Sequence, residues 1–200
     1  AEIVVQSKGS PVILFQTTMG RVVNLTLRQI GGMGHFCVDI GQGRLELEDC
    51  DVTGPSGSVA IHDGADPRLR RNSIHDSKGI GVFVYKGAQG TLEDNDISGH
   101  RQGVGIETSG NPTLRRNRIH NNDEDGVYVT DGGQGTLEDN DISSNLDSGV
   151  VAIAGGSPVV RNNRINNNSN YGFWILSDGA GTFENNDLTE NGIDAWSIDR

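Results

Sequence analysis

Carboxylates are the groups through which this chain could do chemistry. Asp63, Asp66, Glu107, Asp123, Glu124, Asp125 and Asp131 stand outside any repeating order of charge, and two carboxyl groups about 5–10 Å apart can act as acid and base at a glycosidic bond. These acids scatter over different turns without an obvious stacked pair, and those such as Glu107 and Asp131 are the ones that would serve as acid and base. The five histidines offer less. His75 and His120 hold equivalent places in the repeat described below, but two coils separate them by about 9.6 Å, too far to share a metal ion; His35, His62 and His100 read with them as surface imidazoles at turns. No Cys or His pair has metal spacing, no glycine-rich phosphate loop opens a helix, and no serine sits in a nucleophile elbow. The motifs therefore assign no metal, no cofactor and no catalytic residue, and the reading leans away from an enzyme.

A repeat of about 23 residues must position whatever these side chains do. The phrases PRLRRNSI, GTLEDNDI, PTLRRNRI, GTLEDNDI, PVVRNNRI and GTFENNDL place Leu69, Leu92, Leu114, Leu137, Val160 and Phe183 at steps of 23, 22, 23, 23 and 23. That period is too short for two packed helices, and its Gly, Asn, Val and Ile content marks a solenoid of short strands. A second apolar column runs through Val52, Ile74, Ile97, Ile119, Ile142, Ile165 and Leu188. A third strand ends at Ile61, Val84, Ile106, Val129, Ala152 and Ile175, preceded in five coils by Gly81, Gly103, Gly126, Gly149 and Gly172. Period-two apolar residues there bury one strand face.

Between the first two columns stands Asn72, Asn95, Asn117, Asn140, Asn163 and Asn186, at one fixed offset. A bend between strands needs a residue that tolerates left-handed backbone, which Asn does, and stacked amides can satisfy one another while enclosed. The six are expected to form a structural ladder. Charge alternates from coil to coil: Arg70 and Arg71, Glu93 and Asp94, Arg115 and Arg116, Glu138 and Asp139, Arg161, Glu184, with Ser73, Asp96, Arg118, Asp141, Arg164 and Asp187 beyond the asparagines. Opposite charges stacked at about 5 Å attract weakly and repel a misplaced coil. The repeating unit is thus a pair of coils of 45 or 46 residues.

The fold expected is all-β: a single-stranded right-handed parallel β-helix of about 8–9 coils of 22–23 residues, one domain over 1–200 with regular coils at 44–190. The early coils are looser, with Leu25 and Cys50 in the asparagine column, and Trp196 and Ile198 fall inside a coil, which suggests a segment of a longer protein. A net charge of −11 with three lysines argues against nucleic acid and anionic membrane. There is no run of 18 apolar residues. Cys37 and Cys50 are too few for a disulfide framework, and unpaired thiols without a visible signal segment point to the cytoplasm.

The strand before the glycine-rich turn points Ala60, Phe83, Gly105, Tyr128, Val151, Trp174 and Ser197 outward, with His62, Tyr85, Glu107 and Thr130 two residues on. Aromatic anchors on a rigid scaffold suit a binding surface, so Phe83, Tyr85, Glu107, Tyr128 and Trp174 are the candidate partner-binding residues.

The series ADPRLRRNSIHD, GQGTLEDNDIS, GNPTLRRNRIHNN and GGQGTLEDNDISSN resembles the right-handed parallel β-helix repeat family, whose pectin-lyase-like fold is shared with pectate lyases, and within it is most similar to the β-helix region of F-box ubiquitin-ligase receptors. The likeness covers about residues 44–190. It implies a module that recognises a protein or peptide without chemistry of its own. The chain shows no F-box, nor the Asp-Pro-His-Glu motif of β-helix alginate epimerases, nor the Asp and Arg cluster of calcium-dependent pectate lyases. A recognition module for a protein or peptide is the first expectation; a polysaccharide lyase, hydrolase or epimerase is the second.

Overall fold

The computed structural model describes residues 2–31 and 34–199. Each regular coil has three strands, and each strand is short because it needs only one or two inward side chains. On the first face, strands such as Thr91–Glu93 and Thr113–Arg115 turn Leu92 and Leu114 into the core; on the second, Asp96–Ser98 and Arg118–His120 bury Ile97 and Ile119; on the third, Gln102–Ile106 and Val127–Val129 bury Val104, Ile106, Val127 and Val129. All of these are fully enclosed, each gaining about 2 kcal/mol from burial.

Every strand pairs in parallel with its equivalent one coil away: Leu92 faces Leu69 and Leu114, Ile97 faces Ile74 and Ile119, and Val104 faces Val82 and Val127. The isoleucine face forms an eight-stranded sheet. The other two faces join into one 15-stranded sheet because an 11-residue strand, Val38–Glu48, runs through the corner between them. Its start pairs with Gly57–Ile61 and its end with Arg68–Arg70. Ile13–Val23 follows it with two register shifts, so the irregular spacing of the early coils is a missing corner. No helix occurs among the described residues.

The asparagine ladder is continuous. Each Nδ2 donates to the Oδ1 of the asparagine in the following coil at 2.9–3.0 Å, from Asn72 through Asn186, and also to the leucine-column carbonyl of the preceding coil, as Asn117 does to Leu92 at 2.8 Å. Each Oδ1 also accepts the backbone N–H of the previous ladder residue. The file is capped by Cys50, whose N–H donates to Asn72 at 3.0 Å. The expectation for the bend needs correction: the left-handed residue is the one before each asparagine. Arg71, Asp94, Arg116, Asp139, Asn162 and Asn185 carry φ of 52–57°. The ladder asparagine is selected for its amide alone, and the strain sits on its neighbour.

Opposite charges adjoin as the alternation requires. Glu93 faces Arg70 and Arg115 across the sheet. Its carboxylate is almost enclosed and lies 2.7 Å from Arg115, 3.3 Å from Arg70 and 3.4 Å from Arg68, with Arg116 closing the group. Burial alone would favour its protonated form, but the Arg116 and Arg115 contacts outweigh this and hold the carboxyl below its usual range. Asp94 pairs with Arg116, Asp96 with Arg118, and Asp141 with Arg164.

Both cysteines are free and buried. Burial pushes the Cys37 thiol up to about 11.

Candidate functional site

The third face is the one that carries aromatic side chains outward, and glycines in adjoining coils make room for them. A Cβ on Gly57 would lie 2.3 Å from the Phe36 ring, one on Gly41 3.0 Å from His62, and one on Gly105 3.2 Å from Phe83 and 3.1 Å from Ile80. Over this floor four rings stack nearly parallel. Phe36 and Phe83 have centroids 6.2 Å apart, Phe83 and Tyr85 4.4 Å, and Tyr85 and His62 5.1 Å, with interplanar angles of 20–24°. Of the expected binding residues, Phe83 and Tyr85 are therefore brought together. Phe36 and His62 complete the group. Ala60 and Val151, also directed outward, are covered.

His62 ends the stack between two carboxylates, with Nε2 2.8 Å from Asp39 and Nδ1 2.7 Å from Asp63. Burial works against its charged form, yet the bonds to Asp39 and Asp63 prevail and the imidazole pKa is raised. Lys86 lies 3.5 Å from Asp63 and 5.6 Å from the centre of the Tyr85 ring. This end of the face is electrically self-satisfied.

Two coils further along, Tyr128 pairs with Gly105 across the strands, and Thr130 N–H donates to the Ile106 carbonyl at 3.0 Å, which sets Glu107 beside Thr130. The Thr108 hydroxyl donates to Asp131 at 3.0 Å. Glu107 and Asp131, expected to lie scattered on different turns with no stacked pair, are thus neighbours on one face. Burial, then Asp131, pushes the Glu107 carboxyl up; burial, then Asp125 and Glu107, does the same to the Tyr128 phenol. Asp125 is almost enclosed and accepts the Ser148 N–H at 3.2 Å. Burial pushes its carboxyl up to about 7, helped by Asp147 and Glu124.

Trp174 stands apart from this group. Its ring packs 5.7 Å from Tyr171 and its Nε1 donates to Asp199 at 3.0 Å. A cavity of about 560 Å³ lies at the last coil between Leu176, Phe183, Trp196 and Ile198, away from the aromatic stack. No cluster of metal-ligating side chains occurs among the described residues.

The histidines were expected at surface turns, and His100 overturns this: it is completely buried. It belongs to a second polar file that sequence reasoning missed, Ser77, His100, Asn122, Asn145, Asn168 and Asn191. The Asn members join at 2.8–3.0 Å, and His100 N–H donates to Asn122 at 3.1 Å. His75 and His120 bridge coils, each with Nε2 against an aspartate of the preceding coil, Asp51 and Asp96. The signal for the second file was the glycine column. A Cβ on Gly103, Gly126, Gly149 or Gly172 would meet an asparagine Nδ2 of this file at 2.9 Å.

Comparison with known proteins agrees with the architecture. The family described as right handed beta helix region matches residues 11–157 and 101–199. No curated protein matches the chain. Among solved structures it is similar to the Azotobacter vinelandii mannuronan C-5 epimerase AlgE6 A-module, at TM-score 0.67 and 18% identity over 92% of this chain. The match spans 59% of that module, and at this identity it speaks for the fold alone.

Proposed function

The chain belongs to the right-handed β-helix family, and from that premise we propose that it is a recognition module whose third strand face receives an extended protein or peptide partner. One observation carries the reading: the stack Phe36, Phe83, Tyr85 and His62 presents preorganised aromatic area at the third strand face and its flanking turns, over glycines that leave space for it. Rings already fixed by packing lose little freedom on binding, which is where anchor residues gain their affinity. Glu107 and Tyr128 extend the same surface, and Trp174 is a separate, outlying contact. The alternation of Leu-Arg-Arg-Asn and Leu-Glu-Asp-Asn coils, similar to the β-helix of F-box receptors, supports the same reading. Screening the whole chain against a displayed peptide library, with F83A/Y85A as counter-selection, tests it. Peptides retained by the native protein and lost by the variant, at an unchanged melting temperature, are the expected result; ligands indifferent to F83A/Y85A would remove the face from consideration.

A second reading is a carbohydrate-active enzyme. It is supported by the fold likeness to a mannuronan epimerase module and by two carboxyls beside Tyr128, Glu107, whose pKa is raised by burial, and Asp125, pushed up to about 7. A carboxyl with a pKa of about 7, as Asp125 has, can exchange protons near neutral pH. Proton NMR of mannuronan, pectate and neutral glycans incubated with the protein decides it: new anomeric or unsaturated signals, abolished by E107Q, would establish the activity.

A further inference from the structure

The last described layer is open on one side. Strands Thr182–Glu184 and Asp194–Asp199 are the two ends of the 15-stranded sheet, each paired along one edge only. Phe183, Leu188, Trp196 and Ile198 top the apolar columns, and Trp196 and Ile198 are exposed. Two adjoining cavities of about 560 and 300 Å³ open here and share Phe183 and Trp196. In earlier layers the next layer fills this space, as Leu114 and Ile119 lie over Leu92 and Ile97.

Charge and hydrogen bonding specify what fits there. Acidic layers elsewhere lie between arginine layers, as Glu93 lies between Arg70 and Arg115. Glu184 and Asp187 form no ion pair among the described residues, because Arg161 and Arg164 pair with Glu138 and Asp141. Asn163 gives its N–H and Nδ2 to the Asn186 Oδ1; Asn186 holds the same two donors toward the open side, where no acceptor lies among the described residues.

We propose that this layer receives an extended segment of a partner protein, added as a parallel strand beside Thr182–Glu184. Its sequence is an apolar residue, two basic residues, an asparagine and a third basic residue. The apolar side chain enters the space over Phe183, the first and third basic residues face Glu184 and Asp187, and the asparagine Oδ1 accepts from Asn186. Backbone pairing supplies the attraction, while the pocket and the charges select the segment. A second copy of this chain fits less well: stacked head to tail it brings Arg21, but Leu25 stands where the accepting asparagine belongs.

Fluorescence anisotropy at physiological salt tests this with three labelled peptides. They are NPTLRRNRIHNN, the arginine-type segment 111–122; the same residues shuffled; and QGTLEDNDISGH, the acidic-type segment 89–100. The first is expected to bind at least about tenfold more tightly than either of the others. E184Q/D187N should weaken it about tenfold and W196A about fivefold, both at exposed positions, while F83A/Y85A should change it less than about twofold. Equal binding of the shuffled peptide would reduce the effect to net charge and overturn the proposal. Absence of binding, or binding indifferent to E184Q/D187N and W196A, would overturn it as well. Sensitivity to F83A/Y85A alone would assign the segment to the aromatic face, leaving that reading standing and this one refuted. Sedimentation equilibrium without peptide checks the occupant: a mass that doubles with concentration, and returns to that of the monomer in W196A, would make it a second copy and overturn the proposal.

Discussion

The hydroxyl of Ser77 lies 2.7 Å from Nδ1 of His100, while Nε2 of the same ring lies 3.0 Å from the Ile74 carbonyl. A carbonyl only accepts, so the proton is on Nε2 and Nδ1 accepts from Ser77. The imidazole is neutral and completely enclosed; burial holds its pKa at about 4.

This gives the first prediction. The unfolded chain binds a proton at His100 near pH 6.5 and the folded chain does not until about pH 4, so stability falls as pH drops through that window, by about 3 kcal/mol in all. H100N continues the asparagine file of the next four coils. Urea unfolding of the two proteins should diverge progressively below pH 6.5, with H100N the more stable; parallel pH profiles would contradict the neutral assignment.

Asp125 titrates in the opposite sense. Its folded carboxyl holds a proton up to about pH 7, above the unfolded value near 3.9, so the stability it contributes is present in acid and lost as pH rises through 7. D125N keeps the uncharged shape. Its stability should match the native protein at pH 4 and exceed it at pH 8, by about 4 kcal/mol. A native protein that stays the more stable at pH 8 would show that Asp125 is ionised at no cost.

Asn117 lies mid-file. N117A leaves the Leu92 carbonyl and the Asn95 N–H and amide without their partners in a place water does not reach, at a cost of about 3 kcal/mol. N186A, where the file is half-buried, should cost less than half as much. Equal shifts in urea midpoint would mean that the amides contribute size and not hydrogen bonds.

Gly126 and Gly132 separate space from backbone freedom. An added Cβ at Gly126 would lie 2.5 Å from Ile142 and 2.7 Å from the Gly149 carbonyl, whereas at Gly132 it meets nothing and only the φ of +70° resists it. G126A should cost roughly 3 kcal/mol and G132A about 1, read from thermal unfolding.

These contrasts explain which parts of the molecule could be read from the chain. The leucine, isoleucine and Asn72 to Asn186 columns are legible because one residue type recurs at one spacing. The second file is not, since serine, histidine and asparagine succeed one another in it and only their shared hydrogen-bond geometry makes them equivalent. The left-handed position escapes for a similar reason: Arg71, Asp94 and Asn162 fill it in turn, so residue type carries little trace of the backbone. At the candidate site, period-two alternation reveals Phe83 and Tyr85, but Phe36 comes from an irregular coil 47 residues upstream of Phe83 and joins them only through the space above Gly57. Trp174 shares their column, yet distance along the axis removes it from the group.

The amides of the Asn72 to Asn186 file all face one way, each earlier layer donating to the later one. Their dipoles add, giving the rod a head and a tail at the level of single hydrogen bonds. A layer can therefore be laid down in one orientation only, onto two donors already waiting. Because like charges must not touch, the increments that leave every junction matched are double layers, such as the 45 residues separating Leu69 from Leu114. The molecule can lengthen or shorten by even steps without redesigning a single contact, and odd steps set arginine upon arginine.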